Sequence, residues 1–197
     1  MIAVIDSGDL FTHNLAHLAG ALGATPVVVR ARDAARLEDL SPRGVVIASG
    51  TGRPEGAPEV MAVVERWAGR APLLGVGLGM HCVAVRFGAR LAPARAPVHG
   101  KTCAVLHDGT GLFAGVPSPF SATRYDSFVV DRASLPDGLA VTAEAADTGD
   151  VMALQHGSLP VFGVQFHPES AFTEHGARVM ENFLAAAGAA GTWRRAM

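Results

Sequence analysis

The chain has 197 residues, 49% of them hydrophobic, and a formal net charge of −2. This hydrophobic fraction excludes disorder, and the longest apolar runs fall far short of the roughly 20 residues that a membrane span needs. Lys101 is the one lysine among 16 cationic residues, so the chain has no basic stripe for nucleic acid, and we expect neither a nucleic-acid nor a membrane partner.

The first half of the chain predicts strands that alternate with helices. An apolar strand opens it, and leucines then recur at helical spacing until Gly23 ends the helix. Strands that are apolar throughout indicate a parallel sheet covered by helices on both faces. The predicted strands are residues 2–6, 27–30, 45–48 and 73–76, and the predicted helices are residues 10–22 and a segment with Val60, Met61, Val64 and Trp67 on its apolar face.

The second half, from about Arg90, predicts short strands separated by turn signals, which favours a smaller mixed or antiparallel portion of sheet. A helix over residues 174–187 closes the pattern, and residues 193–197 look like a loosely held tail. The predicted strands are residues 102–106, 121–125, 128–130, 139–143, 151–155 and 161–166.

The chain carries no linker or repeat, so we expect residues 1–197 to form a single domain with a tail from about residue 190. Its N-terminus lacks the basic start and the cleavage site of a secretory signal, which predicts a cytoplasmic protein. Cys82 and Cys103 could pair, but free thiols are favoured in a cytosolic chain, and burial as small hydrophobic side chains is their expected role.

A sharp turn is predicted between the strand at residues 73–76 and the helix that follows it. Gly75, Gly77 and Gly79 surround this turn, and a glycine-flanked strand–turn–helix elbow is typical of the turn that lifts a nucleophile above an α/β sheet. Gly77 stands at the nucleophile's own position. The predicted elbow therefore has no side chain with which to attack a substrate.

His167 and Glu169 follow another apolar strand far downstream. A histidine and a carboxylate are the base and the orienting group of a nucleophile–base–orienter set. The alternative is a structural turn held by Pro168, in which neither side chain faces a pocket. We predict that the pair faces the pocket at the elbow.

These segments together resemble the class I glutamine amidotransferase domain, over essentially the full length. The resemblance implies a flavodoxin-like α/β sandwich with a mostly parallel central sheet. It rests on residues 49–54, 75–82 and 163–170. Further segments resemble the small subunit of anthranilate synthase and of aminodeoxychorismate synthase: residues 9–15, 99–102, 107–113, 124–128 and 182–184.

In that family an elbow cysteine attacks the side-chain amide of glutamine, a histidine moves the proton, a glutamate orients the histidine, and ammonia passes to a partner subunit. The resemblance implies that His167 is the base and Glu169 its orienter, with Gly77 in the place of the cysteine. It also implies that the backbone N–H groups of Gly52 and Leu78 form the oxyanion hole, where fixed donors stabilise a tetrahedral intermediate. Glutamine would lie against Gly50, Gly52, Ser127 and Phe128. The resemblance implies no cofactor, and no spacing of Cys and His predicts a metal.

Three departures from the family's pattern fall in this pocket. Met80 and His81 replace a His-Gln pair, residues 49–52 replace a Pro-Gly-Pro-Gly loop, and Asp126 replaces a histidine. His81 either brings a second titratable group into the binding pocket or is a partly exposed helix residue.

Loss of the nucleophile from a covalent hydrolase costs on the order of 10⁶ in turnover, so we expect no appreciable glutaminase. Cys82 should point away from the elbow, and Ser49 and Thr51 face the pocket without an evident contact to a base. The leading hypothesis is a pseudo-glutaminase that acts as partner or scaffold for a chorismate-using synthase supplied with free ammonia.

Three alternatives stay open. One is a repurposed small-molecule enzyme in which His167 acts as general base on a water in the position of the missing sulfur, with Glu169 orienting it. Another is an engineered Cys-to-Gly variant of a working glutaminase. The third is a structural protein whose cleft is filled by side chains.

Overall fold

The computed structural model describes residues 1–188, in which all nine strands join one sheet. The strands are β1 (Ile2–Asp6), β2 (Pro26–Arg30), β3 (Gly44–Ile47), β4 (Leu73–Val76), β5 (Leu91–His107), β6 (Phe120–Val130), β7 (Leu139–Ala145), β8 (Val151–His156) and β9 (Val161–Val164). The α-helices are α1 (Thr12–Ala21), α2 (Leu37–Leu40), α3 (Pro58–Trp67), α4 (Leu78–Arg86) and α5 (Gly176–Gly188). None of the helices within residues 1–188 is both long and apolar enough to cross a membrane.

The sheet has a parallel part and an antiparallel part, in the strand order β2-β1-β3-β4-β9-β8-β7-β5-β6. The five strands from β2 to β9 are parallel, because the chain crosses back over a face of the sheet between them. The four strands from β8 to β6 are antiparallel to their neighbours. This confirms the expected α/β sandwich with an antiparallel C-terminal portion.

Alternate residues of the parallel strands point into two hydrophobic cores, one on each face. Val4 and Val46 pack in the core that also holds side chains of α1 and α5. Ile5 and Ile47, their neighbours in sequence, pack in the core that holds side chains of α3 and α4. Because both faces are buried, the strands are apolar without interruption, which is why their sequence predicts them well.

Several predicted boundaries were wrong. The strands predicted at residues 121–125 and 128–130 are one strand, β6, and residues 102–106 are the end of the much longer β5. Most of β5 is exposed, and its pairing with β6 is irregular between Pro93 and Val98, so its sequence shows no apolar alternation. Helix α1 begins at Thr12 rather than at Leu10, which is 89% exposed. The predicted tail at residues 190–197 lies outside the described residues.

Candidate functional site

The elbow forms between β4 and α4, as the glycines predict. Gly77 has φ 54° and ψ −110°, a conformation in the left-handed region that only glycine adopts without strain. Its N–H donates to the carbonyl oxygen of Val164 on β9 at 2.9 Å. A Cβ on Gly79 would lie 2.6 Å from the carbonyl oxygen of Ile47, so a residue with a side chain would push the start of α4 away from β3.

His167 lies three residues after the end of β9 and is 2% exposed. Its Nδ1 lies 2.6 Å from Oε1 of Glu169, which is also buried. A carboxylate accepts hydrogen bonds, so Nδ1 carries the proton and Nε2 presents its lone pair. Nε2 has no hydrogen-bond partner among residues 1–188. The imidazole is therefore oriented as a base would be.

Strand β6 holds the loop that carries His167. The N–H of His167 donates to the carbonyl oxygen of Thr123 at 3.0 Å, and the hydroxyl of Thr173 donates to the carbonyl oxygen of His167 at 2.6 Å. The N–H of Thr123 donates back to the Thr173 hydroxyl at 3.0 Å. These contacts fix the loop at both ends, so the His167–Glu169 pair has a rigid support.

Gly77 and His167 meet in space, although 90 positions separate them in sequence. A Cβ placed on Gly77 would lie 3.7 Å from Nε2 of His167, a separation that suits a nucleophile and its base. The same Cβ would overlap the hydroxyl oxygen of Ser49 and lie 3.1 Å from the Ser49 Cβ. The Ser49 side chain therefore takes the volume that a Cβ at this position would fill.

The elbow and the base border an open cavity of about 370 Å³. Its lining includes His167, which argues against the structural turn, and the cavity is not filled in the way that the structural alternative requires. Gly77 and Glu169 are not among the residues that line the cavity. The other predicted binding residues all line it: Gly50, Gly52, Leu78, His81, Ser127 and Phe128.

His81 lies inside this site and is 5% exposed, so the partly exposed helix position was the wrong alternative. Its Nε2 lies 2.7 Å from Oε1 of Gln165, which makes Nε2 the donor and leaves Nδ1 as an acceptor. Burial lowers the pKa of His81, although Gln165 and the carboxylate of Asp126 act in the opposite direction. The ring is therefore neutral at pH 7.

Asp126 belongs to a buried ion cluster at the back of the cavity. The guanidinium of Arg124 donates to both carboxylate oxygens of Asp126, at 3.0 and 2.8 Å, and to Asp150 at 2.9 Å. Arg124 is 2% exposed and does not line the cavity, whereas Asp126 does. The carboxylate of Asp126 is enclosed and paired with Arg124 through both oxygens, so it is held inside the wall rather than offered to a ligand.

The lining residues that sequence reasoning missed include Asp9, Phe11, Tyr125 and Gln165. Tyr125 packs against Phe11 and against His167, with ring centroids 5.3 and 4.9 Å apart. All four fall inside segments that carry the family resemblance, which was the available signal. Burial raises the pKa of Asp9, against the effect of a hydrogen bond from the N–H of Phe11.

Neither cysteine replaces the missing nucleophile. Both are free; Cys82 is buried and lies outside the cavity lining, while Cys103 is half-buried on β5. Burial raises the pKa of Cys82 to about 12, so its thiol stays protonated and unreactive at neutral pH.

The site can be compared with known proteins. A family profile described as glutamine amidotransferase class-I matches residues 3–187. Anthranilate synthase component 2 of Azospirillum brasilense is 44% identical over 93% of this chain and 95% of its own length. Aminodeoxychorismate synthase component 2 of Serratia marcescens is 41% identical over 93% of this chain and 99% of its own.

Two further matches extend the comparison. The bifunctional protein TrpGD of Thermotoga maritima is 42% identical over 93% of this chain, which spans only 32% of that longer protein. Among solved structures, a Thermoplasma acidophilum protein assigned as a GMP synthase subunit superposes with a TM-score of 0.84. It is 25% identical, and the match covers 95% of this chain and 93% of that one.

Proposed function

The chain belongs to the class I glutamine amidotransferases, and we propose that it serves as the small subunit of a chorismate-using synthase without hydrolysing glutamine itself. One observation carries this proposal. At the elbow, where the family's mechanism needs a thiol, Gly77 offers no side chain, and the hydroxyl of Ser49 overlaps the place where a Cβ would lie.

The chemistry that remains at the site is incomplete. The buried His167–Glu169 pair can accept a proton, and the elbow still presents the N–H of Leu78 at the start of α4. Without a nucleophile no acyl-enzyme can form, and the loss of such a group costs on the order of 10⁶ in turnover, or about 8 kcal/mol of barrier. Binding and oxyanion stabilisation alone do not offset a loss of that size.

Ser49 is a poor substitute for the cysteine. Its hydroxyl lies near the base, but Nε2 of His167 accepts no hydrogen bond from it or from any other group in residues 1–188. A serine has to lose its proton to a base in order to attack, so a contact of hydrogen-bond length is required. We therefore assign Ser49 the role of filling the volume and not that of attacking.

A partner protein is supported by the comparisons and by the surface. The relatives with matching length are component 2 proteins of two synthases. Leu10 at the mouth of the cavity and Phe172 on the loop after His167 are 89% and 75% exposed, and large apolar side chains of this kind suit an interface. We propose that the surface carrying Leu10 and Phe172 contacts the chorismate-binding subunit.

The experiment is to express the chain with a chorismate-using synthase from the same organism and to purify the complex. Product formation should depend on added ammonium chloride and should not respond to glutamine, and glutamate release should stay at background. A complex rebuilt with a cysteine-bearing relative as small subunit is the control. Glutamine-dependent turnover comparable with that control would disprove the loss of the glutaminase.

A second candidate function is general-base catalysis on another small molecule. It is favoured by His167, which lines the open cavity and whose Nε2 has no hydrogen-bond partner within residues 1–188, while Glu169 holds the opposite nitrogen. For any activity found in a substrate screen, His167→Ala should abolish turnover, and an unchanged rate would rule this candidate out.

A further inference from the structure

A groove on the surface, which we call the α3 groove, lies between α3 and the short 3₁₀ helix at Ala31–Arg36. It has a volume of about 450 Å³ and shares no lining residue with the cavity at the elbow, so it is a separate site. Most of its lining is apolar. The lining residues without a charge are Ala31, Ala34, Ala35, Ala62, Val63 and Trp67.

Small side chains keep the α3 groove open. In a 3₁₀ helix residues three apart lie on one face, so Ala31 and Ala34 form a line of methyl groups. Ala62 faces them from the opposite wall, on an exposed part of α3. An aliphatic group placed between these walls would remove the methyl groups from water, which is favourable. The shape and the lining of the groove therefore suit an aliphatic group.

Glu38 on α2 helps to hold the two walls of the α3 groove together. Its Oε1 accepts from Nε of Arg66 and from Nη1 of Arg70, at 2.8 Å in both cases. The guanidinium of Arg70 also lies over the ring of Trp67, 4.8 Å from its centroid. The charges of Glu38 and Arg66, which both line the groove, are therefore already paired within the protein.

Two further charges in the lining, of opposite sign, are unpaired. Arg32 and Glu59 both line the α3 groove, and within residues 1–188 neither takes part in an ion pair or a side-chain hydrogen bond. A guanidinium binds a carboxylate through two parallel hydrogen bonds, and the carboxylate of Glu59 accepts from an ammonium group. A molecule that carries a carboxylate beside an ammonium group can therefore pair with both residues.

We propose that the α3 groove binds a free α-amino acid with an aliphatic side chain of about the size of leucine. Its carboxylate lies against Arg32, its ammonium group lies against Glu59, and its side chain packs on Ala35, Ala62 and Val63. The volume of about 450 Å³ is ample for a ligand of this size. The inference goes beyond the proposed function and does not depend on it, because the groove and the cavity at the elbow have no lining residue in common.

The test is an NMR titration of the full chain, labelled with ¹⁵N, with L-leucine as the probe. The comparison ligands are 4-methylpentanoate, which is leucine without its amino group, and 3-methylbutylamine, which is leucine without its carboxylate. Each should bind at least about threefold more weakly than leucine, as expected for the loss of one exposed ion pair. Glycine, which has no apolar side chain to bury, should bind at least about tenfold more weakly. The proposal is overturned if leucine shifts no backbone signal of Ala35 or Ala62, or if it binds no more tightly than the two analogues.

Variants without the charge assign each contact. Arg32→Gln should weaken binding of leucine about threefold and leave binding of 3-methylbutylamine, which lacks the carboxylate, unchanged. Glu59→Gln should weaken binding of leucine to about the same degree and leave binding of 4-methylpentanoate unchanged. The controls are Arg36→Gln and Glu65→Gln, at exposed positions of the same two helices outside the groove, and they should have no effect. If each variant binds leucine as tightly as its control does, the proposal fails.

Filling the α3 groove provides a second test. Ala62→Leu places an aliphatic side chain where that of the ligand would lie, and it should weaken binding of leucine at least about tenfold. The matched control is Ala185→Leu, at an exposed position of α5, which should bind leucine as the unaltered chain does. Both alanines are exposed, so both variants should fold, and urea unfolding checks this. Full leucine binding by a folded Ala62→Leu variant would refute the proposal, whatever the outcome of the glutamate-release experiment.

Discussion

Replacing Gly77 by cysteine would return a thiol to the elbow but would not by itself give a well-placed nucleophile, because the Ser49 side chain occupies the same volume. Two costs can be worked from the structure. At φ 54° a residue other than glycine carries about 1–2 kcal/mol of strain. The overlap with Ser49 adds about 1–3 kcal/mol, the usual range for an overpacked site. Gly77→Cys should therefore lower the free energy of unfolding by about 2–5 kcal/mol.

Adding Ser49→Ala removes the overlapping hydroxyl and should return about 1–3 kcal/mol of that loss, leaving the backbone strain. Urea unfolding of the two single variants, the double variant and the unaltered chain gives the coupling energy between positions 49 and 77, which should exceed about 1 kcal/mol. The reactivity of the new thiol is measured as its rate of labelling by a chloroketone analogue of glutamine, followed by mass spectrometry. The double variant should be labelled at position 77 at least about tenfold faster than Gly77→Cys alone, as expected for roughly 1.4 kcal/mol. Equal stability and equal labelling of these two variants would refute the reasoning.

Three other predictions concern the same region. Gly79→Ala should destabilise the fold by about 2 kcal/mol or more, since its Cβ would meet the backbone oxygen of Ile47, whereas the control Gly56→Ala, with open space around it, should be nearly neutral in urea unfolding. Cys82 should react with a thiol reagent at pH 8 only as fast as the protein opens, because burial raises its pKa to about 12; rapid labelling in the folded state would contradict this. Burial lowers the pKa of His81 from 6.5, so the unfolded chain takes up a proton that the folded chain refuses. Stability should then be full above about pH 6.5 and fall below it by up to about 1.4 kcal/mol per pH unit, and this part of the slope, measured by urea unfolding at pH 7.5 and 5.5, should vanish in His81→Gln.

The sequence predicted those parts of the site that depend on local structure. The glycines around Gly77 indicate the strained turn, and the apolar strand before it and the helix after it mark its two sides. The contact between His167 and Glu169 could be predicted equally well, because both residues belong to one short loop whose geometry brings them together.

Contacts between segments that are distant in sequence could not be predicted in the same way. The overlap of Ser49 with position 77 joins residues from the ends of two neighbouring parallel strands, β3 and β4, and its distance depends on the register of those strands. The bond between His81 and Gln165 spans 84 positions and exists only because α4 packs beside the end of β9. Side-chain type predicts that a polar group will seek a partner, but not which partner the packing supplies.

The polar groups of the cavity give a physical reason to look for a ligand. Glycine at position 77 removes the strain that a side chain would store there, so the elbow itself is relaxed. The imidazole nitrogens His81 Nδ1 and His167 Nε2 do lower the stability of the fold. Each is a buried acceptor without a partner within residues 1–188, which costs about 1–3 kcal/mol. Apolar side chains of similar size in their place would make a more stable protein. Proteins keep costly arrangements of this kind mainly at functional sites, so the two unpaired nitrogens point to a site shaped for binding or chemistry rather than for stability.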